Sequence, residues 1–192
     1  MLHLNMEKIK KYYACWFRLN QADKYLIWID KENPEIDEPE EVFVNEQGRI
    51  PVFTSETELA RYAELIGVEI ENQEPGLINF DAVEEWLQEP NSYIDCPECL
   101  NAWNLFIDVA YPLKLTFNGD KLNRLRNRIY DKLFWGNNDF VGCPNLGHPS
   151  GDYYFPEWSP AEVRKLVKIL KQGLKLFRRY TVEVQVSAIF TD

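Results

Sequence analysis

Cys96-Pro-Glu-Cys99 has the spacing of a zinc knuckle, in which two thiolates two residues apart occupy neighbouring corners of a tetrahedral ion. Cys143 and His148 follow in a stretch rich in glycine and proline, and would complete a Cys3His set. The second pair is Cys-x4-His, which departs from the usual CxxC or HxxxH partner. The same residues therefore also read as two ordinary cysteines at the start of a helix, one buried and one exposed. No βαβ pattern surrounds the CxxC, which argues against thiol–disulfide exchange. Cys143 with His148 as a nucleophilic pair lacks a third group to orient the imidazole, and the other histidine, His3, lies near the N-terminus. P-loop, GxGxxG, GxSxG and HExxH motifs are absent, as is the alternating oxygen pattern of a calcium loop.

The second chemical feature is charge. The chain carries 31 Asp and Glu against 21 Lys and Arg, a formal −10. Residues 1–98 hold 22 acidic and 8 basic side chains; residues 99–192 hold 9 and 13. Such asymmetry points to an electrostatically addressed partner, and the acidic half repels phosphate backbones. Acidic side chains concentrate in 31–41, which also contains Pro34 and Pro39 and reads as a loop extended by its own repulsion. The candidate contacts to a basic partner are Glu35, Asp37, Glu38, Glu40 and Glu41. Tyr25 and Trp28 would serve as aromatic anchors if the outer face of their strand is open. The basic set Lys121, Arg124, Arg126, Arg128 and Lys132 is dispersed around a helix. It reads as a solvated helix face, paired in part with the acidic half of the same molecule, not as a nucleic-acid stripe.

The elements that must position these groups follow from periodicity. Residues 11–19 and 24–30 are aromatic and β-branched runs around Asn20-Gln21-Ala22-Asp23, a β-hairpin. Residues 42–45 and 49–53 flank Glu46-Gln47-Gly48 and read as a second hairpin. Ser55 and Glu58 form a capping-box pair ahead of an apolar stripe that Gly67 stops. Residues 68–70 read as a short strand, and Asn79 or Asp81 caps a helix closed by Pro90. This half reads as a small sheet with helices on one face. Leu100, Trp103, Phe106 and Ala110 recur at helical spacing up to Pro112, and Leu122, Leu125, Ile129 and Leu133 define another helix. Ser159-Pro-Ala-Glu162 is a helix start with cap, N1 proline and N3 glutamate, and the helix runs to about Arg179. Val182, Val184 and Val186 alternate with polar residues, a last strand with one buried face that must return to the first half's sheet. The expected fold is a single α+β domain over 1–192. It comprises an acidic, sheet-containing half (1–98), a helical half (99–180) and a C-terminal strand (181–190).

Leu100-Asn-Ala-Trp-Asn-Leu-Phe106, Ile129-Tyr-Asp-Lys-Leu-Phe-Trp-Gly136 and Tyr154-Phe-Pro-Glu-Trp158 with Ser159-Pro-Ala-Glu-Val163 together resemble small uncharacterised bacterial proteins, some of them associated with toxin-immunity loci. Ile50-Pro-Val-Phe-Thr-Ser-Glu56 with Leu59 is similar to a strand–helix element of SseB-type bacterial proteins. Neither resemblance brings a catalytic motif. The leading reading is a non-enzymatic binding protein of immunity or antitoxin type, in which the acidic side chains around 32–41 would mimic nucleic-acid charge against a basic, nuclease-like toxin domain. The alternatives are a small zinc- or thiol-dependent enzyme built on Cys96, Cys99, Cys143 and His148, and a homodimeric adaptor. No cofactor is expected unless that cluster holds zinc. No run approaches the ~18 apolar residues of a membrane helix, and the apolar stretch at 12–17 is too short for a signal-peptide core. A cytoplasmic location with free thiols is expected, with neither a nucleic-acid nor a membrane partner.

Overall fold

The computed structural model describes residues 9–32, 39–90, 93–139, 141 and 153–186. Along the chain these form β1 (Ile9–Leu19), β2 (Ala22–Glu32), β3 (Glu41–Val42), β4 (Ile50–Val52), α1 (Glu56–Ile66), β5 (Leu77–Asn79), α2 (Phe80–Gln88), α3 (Cys96–Ala110), α4 (Arg124–Gly136), α5 (Pro160–Tyr180) and β6 (Thr181–Glu183). The fold is α+β.

The β1–β2 hairpin turns on two residues, not four. Asn20 and Gln21 both hold positive φ (56° and 60°), the arrangement whose twist matches that of the flanking strands. Neither is glycine, so the turn needs support. Asp81, in the first turn of α2, supplies it by accepting both backbone N–H groups at 2.7 Å. Asn79, not Asp81, is then the cap of α2, accepting from the Ala82 N–H. Ala22 and Asp23 join β2, where Asp23 takes a two-point contact from Arg18 at 2.7 and 3.0 Å.

The main sheet has the order β3-β2-β1-β5, and both of its faces are covered. Cys15, Phe17, Leu19, Leu26 and Trp28 pack into the larger core with α2, α3 and α5. Tyr12, Ala14, Tyr25 and Ile27 pack into a smaller core beneath α1. The expectation of helices on one face is therefore corrected: the apolar stripe of α1, led by Leu59 and Ala63, needs a surface of its own and takes the opposite side of the sheet.

Both outer edges of the hairpin are paired discontinuously. On β2, Glu41 and Val42 pair with Ile29 and Trp28, the Phe43 N–H donates to the Ile27 carbonyl, and Phe53 bridges Tyr25. Residues 44–52 leave this edge and return. The expected second hairpin is thus a closed excursion, held at its neck by the Asn45 N–H on the Arg49 carbonyl. Its outgoing arm, β4, pairs in parallel with β6. The C-terminal strand does return to the first half, but as a two-stranded ladder joined to the main sheet through Phe53. Val186 is fully buried, whereas Val182 is 36% exposed, so the valine alternation does not hide one whole face. On β1, Ile70 bridges Tyr12 and Leu77 pairs with Trp16. The partner takes seven steps where β1 takes four, so residues 71–76 bulge outward. The strand expected at 68–70 reduces to that single bridge.

Helix α3 is the central element: nine of its fifteen residues are buried, and Phe106 packs with Phe80, Phe117 and Phe177. Helices α4 and α5 pack beside it. No helix among the described residues is long and apolar enough to cross a membrane.

Candidate functional site

The bulge at 71–76 opens a cleft of about 330 Å³ between the edge of β1 and one face of α3. The α3 residues that line it are Asn101, Asn104, Leu105 and Asp108, spaced i, i+3, i+4, i+7 and so on one side of the helix. Opposite them lie Tyr13 and Cys15 of β1, Trp28 of β2, Glu40 ahead of β3, and residues 73–78. Tyr13 and Trp28 are direct cross-strand partners, with ring centroids 5.7 Å apart at 55°. The Trp28 indole N–H donates to Asp108 Oδ2 at 3.0 Å, tying the sheet to α3. Asn104 is fixed from behind, where its Oδ1 accepts the Tyr130 hydroxyl at 2.9 Å. Arg126 in turn stacks on Tyr130 and Trp103, at 4.7 and 5.2 Å from the ring centroids.

The electrostatics are one-sided. Glu40, Glu74 and Asp108 line the cleft, and no described basic side chain does. Burial pushes the Asp108 carboxyl up to about 7; the Trp28 hydrogen bond opposes this, and the Glu40 and Asp120 charges add to it. Burial, with the Asp108 charge second, raises the Cys15 thiol to about 12, so it is a neutral wall and not a nucleophile.

The residues singled out from the sequence divide among several places. Glu35, Asp37 and Glu38 lie outside the described residues. Glu40 is exposed on the cleft rim. Glu41 instead pairs with Lys31 at 2.7 Å, both side chains largely buried, which makes it a strut of the β2–β3 edge. Trp28 is in the cleft, but Tyr25 is on the other face of β2, stacked on Trp16 beneath the α1 side. They do not form one aromatic patch, and no outer strand face is left open for them. Their spacing of three already implies this, since side chains alternate across a strand.

Cys96 and Cys99 are both buried, correcting the expectation of one exposed thiol. Burial raises Cys96 to about 12, with repulsion from Asp95 adding to it, and raises Cys99 further, with Cys96 and then Asp95 adding to it. The Cys96 thiol contacts the Ile94 carbonyl and sits where Gly136 leaves room for it. These are thiols that pack, at the start of a helix capped by Asp95. Cys143 and His148 lie outside the described residues, among which no group of three or more His, Cys, Asp or Glu is placed to hold a metal.

The basic residues of α4 divide: Arg124 is exposed, as a solvated face would have it, whereas the acid that pairs with this helix comes from the second half of the chain and not from the acidic half. Arg128 and Lys132 both reach Glu162, at 2.6 and 2.9 Å, and Arg126 is taken up by the aromatic stack. Ion pairs among the described residues join the halves of the sequence, including Lys24–Glu183 and Arg178–Glu84, both at 2.6 Å. Sequence reasoning missed Asn101, Asn104 and Asp108. The available signal was a polar stripe on one side of a helix whose other positions are apolar.

No protein-family model and no curated protein sequence matches the chain. Among solved structures it is similar to the C-terminal domain of SatS, crystallised in complex with bromine, with a TM-score of 0.49 and 13% identity. The match covers 90% of this chain and 94% of that one.

Proposed function

We propose that this chain is a non-enzymatic binding protein of immunity type that docks a basic protein partner over the cleft bounded by Glu40, Glu74 and Asp108. One observation carries the reading: three carboxylates and two aromatic rings converge on a cleft with no described basic side chain. The basic residues are elsewhere. Arg126, Arg128 and Lys132 of α4 are engaged internally, and Arg164, Lys168, Lys171 and Lys175 follow one another along the exposed side of α5. A partner carrying positive charge would be oriented by this separation before contact, which raises its association rate. The resemblance of residues 100–163 to small uncharacterised bacterial proteins, some of them associated with toxin-immunity loci, is in keeping with this reading.

The test is kinetic. A photoreactive residue in place of exposed Glu74 retrieves the partner, whose association rate is then followed from ~20 to ~500 mM salt. The rate is expected to fall by at least about tenfold over that range. A rate indifferent to salt, or an acidic protein retrieved at that position, contradicts the reading.

A further inference from the structure

We infer that the cleft is a receptor for a single alkylammonium group, a lysine side chain of the basic partner, and that taking up this cation drives a proton off Asp108. The inference rests on the basic-partner reading and names the chemistry of the contact. Two features of the geometry select the ligand. Tyr13 and Trp28 form an aromatic corner over which a cation on an apolar stem gains both ring attraction and burial. Among the described residues, the Asp108 carboxylate accepts one hydrogen bond, from the Trp28 indole to Oδ2. A guanidinium fork uses both oxygens of a carboxylate side by side, whereas an ammonium needs only one, and Oδ1 is the one left. Glu40 and Glu74 at the rim add negative charge to the mouth of the cleft.

The proton follows from the setting of Asp108. The described titratable or charged groups around it are Tyr13 and Cys15 from β1, Glu40 ahead of β3, Glu74 from the bulge, Asp120 beyond α3 and Tyr130 from α4, with the Trp28 indole as hydrogen-bond donor. None is a cation. Without ligand, burial and the neighbouring carboxylates therefore hold this carboxyl well above the usual carboxylate range. An ammonium in the cleft favours the ionised form, so binding releases a proton, and affinity rises with pH until Asp108 is ionised without help.

The experiment uses the full chain and n-butylammonium, with n-butylguanidinium and n-butyrate as controls, read on the Trp28 indole N–H resonance and by calorimetry in two buffers of different ionisation enthalpy. The expected results are butylammonium binding tighter than butylguanidinium, butyrate not binding, and an association constant rising about tenfold from pH 6 to pH 8. Asp108→Asn, which keeps an acceptor for Trp28, is expected to lose binding at least tenfold and the pH dependence entirely. Glu74→Gln, on the exposed rim, keeps the fold and weakens binding a few-fold. Equal binding by Asp108→Asn, a flat pH profile, or preference for guanidinium overturns the inference. If butylammonium does not bind while a basic partner still associates through position 74 with steep salt dependence, the ammonium-receptor inference fails and the proposed function stands. If butylammonium binds as described and the retrieved partner is not basic, the reverse holds.

Discussion

Replacing Gly173 by alanine is expected to destabilise the protein by about 3 kcal/mol, although alanine is the better helix former. Gly173 lies in the middle of α5, where intrinsic propensity favours alanine by about 1 kcal/mol. Packing opposes it. A Cβ at this position would overlap the Phe106 ring of α3. That ring is fully buried and stacked on Phe80 at 5.3 Å, with Phe117 and Phe177 at its edges, so it has nowhere to go without moving three other aromatics. In a chain of this size the loss corresponds to a melting temperature lower by roughly 6–12 °C. Phe106→Leu vacates part of the contact, so the double variant should be less destabilised than the two single changes summed. Denaturant titrations of the four proteins measure this. A Gly173→Ala protein as stable as the parent would mean that α3 does not lie on α5 as described.

The second large effect is expected at Glu162. Its side chain is almost completely buried, yet it is charged. Arg128 and Lys132 reach it from α4, and the Ser159 N–H and hydroxyl donate to Oε2 at 2.7 and 2.8 Å. Burial alone would raise this carboxyl; the Ser159 backbone, Lys132, the Ser159 hydroxyl and Arg128 together outweigh it and hold it down at about 2. Glu162→Gln keeps the shape and removes the charge. Because Arg128 is largely exposed and Lys132 also donates to the Glu157 carbonyl, the loss is placed at about 2 kcal/mol near neutral pH, below the full cost of stranding a buried charge. The sign with pH is fixed by the lowered value. The contribution is present above the ordinary carboxylate range, near 4.5 and up, and is lost as pH falls toward 2. The stabilities of parent and Glu162→Gln should therefore converge between about pH 4.5 and pH 2, with the parent showing the steeper acid loss. Parallel curves over that window would contradict the clamp.

Signals confined to one turn or one strand could be read directly from residues. Ser159-Pro-Ala-Glu162 caps α5 with both reciprocal bonds present, Ser55 caps α1, and Gly67 ends it with a left-handed φ of 73°. At α1 the reciprocal carboxylate contact shifted by one residue: Glu58 accepts from Thr54, not Ser55, which no spacing rule distinguishes. What the sequence did not convey was which edge a short strand would join. Residues 42–45 and 49–53 carry good hairpin chemistry, but the edge of β2 offers more backbone partners than the two arms offer each other. The cleft was harder still. Trp28 and Asp108 are 80 positions apart, and only the packing of α3 on the sheet makes them neighbours. The acidic loop drew attention by composition, whereas its last residues, Glu40 and Glu41, ended with different roles: one on the cleft rim, one in a buried ion pair. The zinc-like spacing at Cys96 and Cys99 was equally prominent, yet both thiols face the interior.

The central claim is that positive charge is received at the cleft and not at the acidic surface in general. Amide hydrogen exchange of this protein with and without the basic partner retrieved through position 74 tests it most directly. Docking over the cleft should slow exchange in residues 73–78 and in the 101–108 stretch of α3, with no change along the exposed side of α5. Slowed exchange confined to α1 or α5, with residues 73–78 unaffected, would contradict it.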